Sequence, residues 1–130
     1  MAMKTVFEQM GGEDGIRQLV DRFYVLMDTL PEAATIRAMH PADLTESREK
    51  FSLFLFGWSG GPPAYVEKYG HPRLRGRHMP FAVDDDAAAA WMRCMGLALE
   101  ERSRDGVMDA AVAKGLFDAF FRIASHMRNR

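Results

Sequence analysis

Apolar residues recur at three- and four-residue spacing along most of this chain, and strand-like alternation is nearly absent. Ile16, Leu19, Val20, Phe23, Tyr24 and Met27 make one such face. That spacing predicts a long helix from near Asp14 to the break at Pro31. Tyr24 lies on the face, so its hydroxyl points inward and needs a hydrogen-bond partner or water. Ahead of this helix, Thr5 to Met10 is a short lead-in stopped by Gly11 and Gly12. After it, Thr35 to His40 reads as a helical turn ended by Pro41. Asp43-Leu-Thr-Glu46 has the form of a capping box opening the next helix. Along that helix Ser47, Phe51, Phe54, Leu55 and Trp58 share one side, and all but the serine are large and apolar. A broad buried face is expected there, ending at Gly60-Gly-Pro62.

Tyr65 to Gly70 is a short helical piece or loop, followed by an arginine-rich stretch. Asp84, Asp85 and Asp86 then place anions at the start of the next helix, where the macrodipole favours them. Its inner face is Trp91, Met95, Ala98 and Leu99, with Cys94 at the edge, and Asp105-Gly106 breaks it. The last helix puts Val112, Leu116, Phe120, Ile123 and Met127 on one stripe, with Arg128 and Arg130 at its C-terminal end. The pattern predicts an all-α chain of about four main helices. Nothing divides residues 1–130 into more than one domain.

Composition narrows the class without changing that outline. Hydrophobic residues at 48% exclude a disordered chain, and 27% charged residues suit a soluble one. A formal net charge of −1 gives no global support for binding nucleic acid or an anionic membrane. No stretch reaches the ~20 apolar residues of a membrane span, and Met1-Ala-Met-Lys-Thr-Val lacks the apolar core of a secretory signal. Cys94 stands alone, so no internal disulfide forms and a reducing cytoplasm is the expected location. Ten methionines and nine phenylalanines suit a helical core, or equally a pocket for a planar aromatic ligand.

Candidate chemistry concentrates in Gly70-His-Pro-Arg-Leu-Arg-Gly-Arg-His-Met-Pro-Phe81. His78 is its pivot, since histidine is the usual protein ligand for a d-block metal. Flanking cations favour the neutral ring, the form that binds metal. They would also suit the carboxylates of an acidic cofactor, such as the propionates of haem. Phe81 offers an apolar plate beside it. The bland alternatives are a structural histidine and three arginines, at 73, 75 and 77, on a solvated loop or phosphate patch. If the stretch is extended, Arg75 and Arg77 point apart. Lys50, beside Phe51, could run its stem along a ring edge. The four histidines lack zinc spacing, and Cys94 has no thiol partner. Tyr24 and Trp91 are either core aromatics or, with His40, donors converging on a small molecule in a dry pocket.

His71-Pro-Arg-Leu-Arg-Gly-Arg-His-Met-Pro-Phe81, followed by Trp91-Met-Arg-Cys-Met95, resembles the group II truncated haemoglobins. Gly11-Gly12, Arg22-Phe-Tyr24 and Gly60-Gly-Pro62 extend the likeness over nearly the whole chain. The resemblance implies a two-over-two helical fold packed around one haem b. By position His78 matches the proximal iron ligand, Tyr24 the distal tyrosine, and Trp91 the tryptophan whose indole N–H meets the ligand. His40, Ser47 and Phe51 match further distal positions. The implied cofactor contacts are Lys50, Phe54, Leu55, His71, Leu74, Arg75, Arg77, Phe81 and Met95. The segment Pro41 to Leu44 is one residue shorter than the family pattern. Phe51 is bulkier than usual, which narrows ligand access. His40 replaces a residue that does not titrate near neutrality, so ligand release is expected to vary with pH; an off-rate constant from acid to neutral pH would contradict this.

The reading this favours is reversible binding of dioxygen and other diatomic ligands, held by inward-pointing donors, in a monomer or homodimer. A haem redox enzyme, turning over peroxide or converting nitric oxide to nitrate, is the alternative. With no flavin or nicotinamide fingerprint, it would draw electrons from a separate reductase. A haem-free helical interaction module is the third reading. A Soret band in the purified protein separates it from the others.

Overall fold

In the computed structural model, residues 4–130 are described. They form eight helices: α1 (Val6–Gln9), α2 (Gly12–Thr29), α3 (Ala34–Ala38), α4 (Thr45–Trp58), α5 (Ala64–Tyr69), α6 (Leu74–His78), α7 (Asp85–Arg104) and α8 (Ala110–Met127). A single 3-10 turn, Pro31–Ala33, joins α2 to α3. The four long helices are those the spacing predicts. α2 packs on both α4 and α7, and α7 packs on α8, so one helix pair lies over the other. This is the two-over-two arrangement. Among the described residues, no helix is long and apolar enough to cross a membrane.

Local chemistry explains the element boundaries. The Thr5 hydroxyl accepts the Glu8 backbone N–H while Glu8 reaches back to the Thr5 N–H, a capping box that starts α1. Gly11 turns the chain with φ 96°. Gly15 allows α2 to pass the end of α1, because a Cβ there would collide with the Met10 carbonyl oxygen. α2 therefore begins at Gly12 rather than near Asp14, and all six residues of its predicted face are buried. Asp84 caps α7 by accepting the Ala87 N–H at 2.8 Å, and Asp109 caps α8 at the Ala111 N–H.

Three local expectations are corrected. Asp43-Leu-Thr-Glu46 is not a capping box: Asp43 accepts the Thr45 N–H at 2.8 Å, but Glu46 pairs with Lys50 instead. On α4 the fully buried residues are Ser52, Leu53, Leu55 and Phe56, while Phe51, Phe54 and Trp58 are half-buried. α4 leans its core side on α2, and Phe54 and Trp58 border a cleft. Cys94 is completely buried rather than at the edge of its face.

Candidate functional site

Two features meet between the helix pairs. The first is a knot of aromatic rings around Phe23. Its ring lies 5.0 Å from Tyr24, 5.4 Å from Phe51 and 5.0 Å from Trp91. Phe51 and Trp91 close the triangle at 6.0 Å, and His40 sits edge-on to Tyr24 at 5.9 Å. α2, α4, α7 and the end of α3 thus converge. The Tyr24 hydroxyl points at the Ser47 carbonyl at 3.5 Å, the outer limit of a hydrogen bond. Burial pushes the Tyr24 phenol up from its ordinary range, opposed in part by the Arg48 cation. Tyr24 is therefore a donor at neutral pH. The His40 Nδ1 lies 2.8 Å from the Ile36 carbonyl, which can only accept, so Nδ1 carries a proton. The neutral ring then presents a bare Nε2 and gains a second donor only when charged.

The second feature is a cleft of about 780 Å³ between α4, the arginine-rich stretch and α8. Its apolar walls are Phe54, Trp58, Leu74, Ile123 and Met127, and His71, Arg73, Arg75, Arg122 and His126 add polar and cationic groups. The arginine-rich stretch is not extended. It folds into one helical turn, α6, entered through Arg73 in a left-handed conformation at φ 47°. His78 ends that turn, half-buried, on the same side as Leu74 one turn earlier. Its Nδ1 lies 2.6 Å from the Leu74 carbonyl. That oxygen fixes the proton on Nδ1 and leaves the Nε2 lone pair free, as a metal-binding imidazole requires.

The predicted residues divide. Tyr24, His40, Ser47, Phe51 and Trp91 are brought together in the aromatic knot. Phe54, His71, Leu74 and Arg75 line the cleft. Leu55 and Met95 are fully buried in the core. Lys50 is held by Glu46 at 2.9 Å and lies over the Tyr69 ring at 5.3 Å. Arg77 donates to the Pro72 carbonyl, and Phe81 is exposed. The extended stretch on which Arg75 and Arg77 are expected to separate is not present, and an extended chain would put residues two apart on one side. It is the helical turn that sends Arg75 to the His126 and Arg128 carbonyls and Arg77 to the Pro72 carbonyl. Sequence reasoning assigned Ile123 and Met127 of the α8 wall to the core stripe and missed its other members, Ala119, Arg122 and His126. Their three- and four-residue spacing was visible, but it flanks the core stripe and was overshadowed by it.

The sequence model of the bacterial-like globin family matches residues 5–129. The chain belongs to the bacterial-like globins. It is 38% identical over 119 residues to the group 2 truncated hemoglobin of Bacillus subtilis, covering 92% of this chain and 85% of that one. Its fold superposes on the cold-adapted truncated hemoglobin of Pseudoalteromonas haloplanktis with a TM-score of 0.92 and 42% identity, covering 98% of this chain and 99% of that one. The group II 2-on-2 hemoglobin of Agrobacterium tumefaciens gives 0.90, also at 42% identity, with 99% and 97% covered.

Haem is the group that globins in general hold, and the residues of this globin fit it. A ring nitrogen is left unprotonated at His78, the cleft walls are apolar, and its cations suit propionates.

Proposed function

We infer that this globin holds haem b through His78 and reversibly binds dioxygen, and other small diatomic ligands, on the side of the aromatic knot. The observation that carries the reading is the His78–Leu74 hydrogen bond, which frees Nε2 on the same turn whose Leu74 and Arg75 line an apolar cleft of about 780 Å³ with a cationic mouth; His78 itself is not among the residues lining that cleft. When bound, haem supplies the iron on which a diatomic ligand is held. Everything else is the work of side chains. Phe54, Trp58, Leu74 and Ile123 exclude water from the faces of the macrocycle. Arg73, Arg122 and His126 are placed to meet propionates, while Lys50 is engaged with Glu46 and is not among the residues lining the cleft.

On the distal side Tyr24 offers an O–H and Trp91 an indole N–H toward a polarised ligand. His40 adds a donor only when charged. Phe51 and Phe23 keep that space apolar, where a hydrogen bond is strongest. Dioxygen, which accepts such bonds, is retained, while carbon monoxide gains little. Retention of this kind suits storage, sensing or slow redox chemistry in the cytoplasm, with any reductase a separate protein.

The test is the absorption spectrum of the parent and of His78→Gly after haem is added. The parent is expected to give a Soret band and a pentacoordinate ferrous spectrum; His78→Gly is expected to lose haem or change both. An identical spectrum in the two proteins refutes the assignment.

A further inference from the structure

We propose that Asn129, in the tail beyond α8, is a positioning residue that holds the backbone of His78 and so sets the direction of its imidazole. The proposal rests on the haem reading given above.

α6 has no buried residue. At five residues it is far shorter than the ~12–15 at which an isolated helix becomes even marginal. Core packing and helix propensity therefore cannot fix His78. Hydrogen bonds to the tail do so instead. Asn129 Nδ2 donates to the His78 carbonyl at 3.0 Å, which also accepts the Phe81 N–H at 3.0 Å. The same Asn129 side chain accepts the Val83 N–H through Oδ1 at 3.0 Å, and the Asn129 N–H donates to the Val83 carbonyl at 2.8 Å. One residue thus closes both ends of the loop 78–83. Arg75 makes a parallel tie, donating to the carbonyls of His126 and Arg128 at 2.9 Å each.

These bonds join the His78 backbone to the end of α8, and the Leu74 carbonyl joins its ring to its own helix. Rotation of the ring and displacement of the turn are opposed by separate groups. An asparagine suits the place because the bridge needs a donor and an acceptor on one planar amide. Alanine removes both, and aspartate keeps only the acceptor.

The experiment compares the full chain with Asn129→Ala, Asn129→Asp and Gly15→Ala. Gly15 is remote from the tail, so its variant controls for simple loss of stability. Without haem, amide hydrogen exchange at Val83 is expected to quicken about fivefold in Asn129→Ala, the factor carried by one hydrogen bond. Asn129→Asp should retain protection there. With haem, the ferrous iron–histidine stretching band in resonance Raman spectra is expected to shift or broaden in both Asn129 variants. Haem transfer to an excess of acceptor globin should be about fivefold faster in both. Gly15→Ala should melt earlier with its band unmoved.

Haem uptake by Asn129→Ala with the parent's band and transfer rate overturns the positioning role alone. A parent chain that takes up no haem overturns the role of His78, and this proposal with it.

Discussion

Replacing Tyr24 by phenylalanine separates its function from its packing. The ring is 5% exposed and stacks edge-on with Phe23, His40 and Phe51, contacts that phenylalanine keeps. What is lost is one hydroxyl whose only protein partner among the described residues is the Ser47 carbonyl at 3.5 Å. That carbonyl lies inside α4 and retains its helical donor, so no buried group is orphaned. The stability cost is therefore expected to stay below about 1 kcal/mol. A weakly engaged hydroxyl is free to turn toward a ligand, and one such bond contributes about 1–1.5 kcal/mol. Dioxygen release from Tyr24→Phe should then be roughly five- to thirteenfold faster. Stopped-flow displacement of dioxygen measures this, with carbon monoxide release as the control because it gains little from a donor. Oxygen release within about twofold of the parent would refute the donor role. Equal acceleration for both ligands would show that shape, not the hydrogen bond, is at work.

Two further outcomes test the fold. Gly15→Ala pushes a methyl into the Met10 carbonyl between α1 and α2 and should cost about 1–3 kcal/mol, read as an earlier thermal melt; an unchanged melting temperature refutes the close approach. Burial pushes the Cys94 thiol up from 9.0 to about 11, with Glu32 adding to the shift. The folded chain keeps that proton while the unfolded chain loses it, so stability should fall as pH rises from 9.0 towards about 11. The slope is about 1.4 kcal/mol per pH unit at its steepest. Urea unfolding at stepped pH should show a shallower fall for Cys94→Ala, and parallel curves would contradict this.

The helices were legible because their periodicity is a property of the chain. All six residues of the α2 face are buried, and that face meets both α4 and α7, so no other covering was possible. α4 was harder. Spacing says which residues share a side but not what covers that side: Phe51 packs into the aromatic knot, while Phe54 and Trp58 border a cleft, Trp58 also stacking on Phe120 of α8. Glu46 could cap or pair, and the choice for Lys50 depended on Tyr69 arriving from α5. α6 carries no apolar period at all; it is held by Arg75 donating to the His126 carbonyl, by the Asn129 amide donating to the His78 carbonyl, and by the Leu74–His78 bond. The resemblance supplied the family and the residues to look for. It gave no sign of the α8 wall, because Arg122 and His126 lie off the core stripe.

The two sides of the site are built differently. Tyr24, Phe51 and Trp91 stand on helices of at least 14 residues that are each anchored by several buried residues, so the geometry of the aromatic knot is set by folding itself. His78 stands on a turn without a buried residue, fastened by side chain–backbone bonds to a tail. Such bonds are worth about 1 kcal/mol each and open locally at little cost. A cofactor bound through His78, as proposed, would order the turn that binds it, and part of its affinity would be spent on that ordering. The distal donors, already fixed, lose nothing when a ligand arrives. On the proposed reading, discrimination between ligands would reside in α2, α4 and α7, and retention of the cofactor in α6 and the tail. The two sides are not isolated from each other: Phe120, stacked on Trp58 of the cleft at 5.0 Å, lies 6.0 Å from Trp91 of the knot, so a change at that ring should reach both.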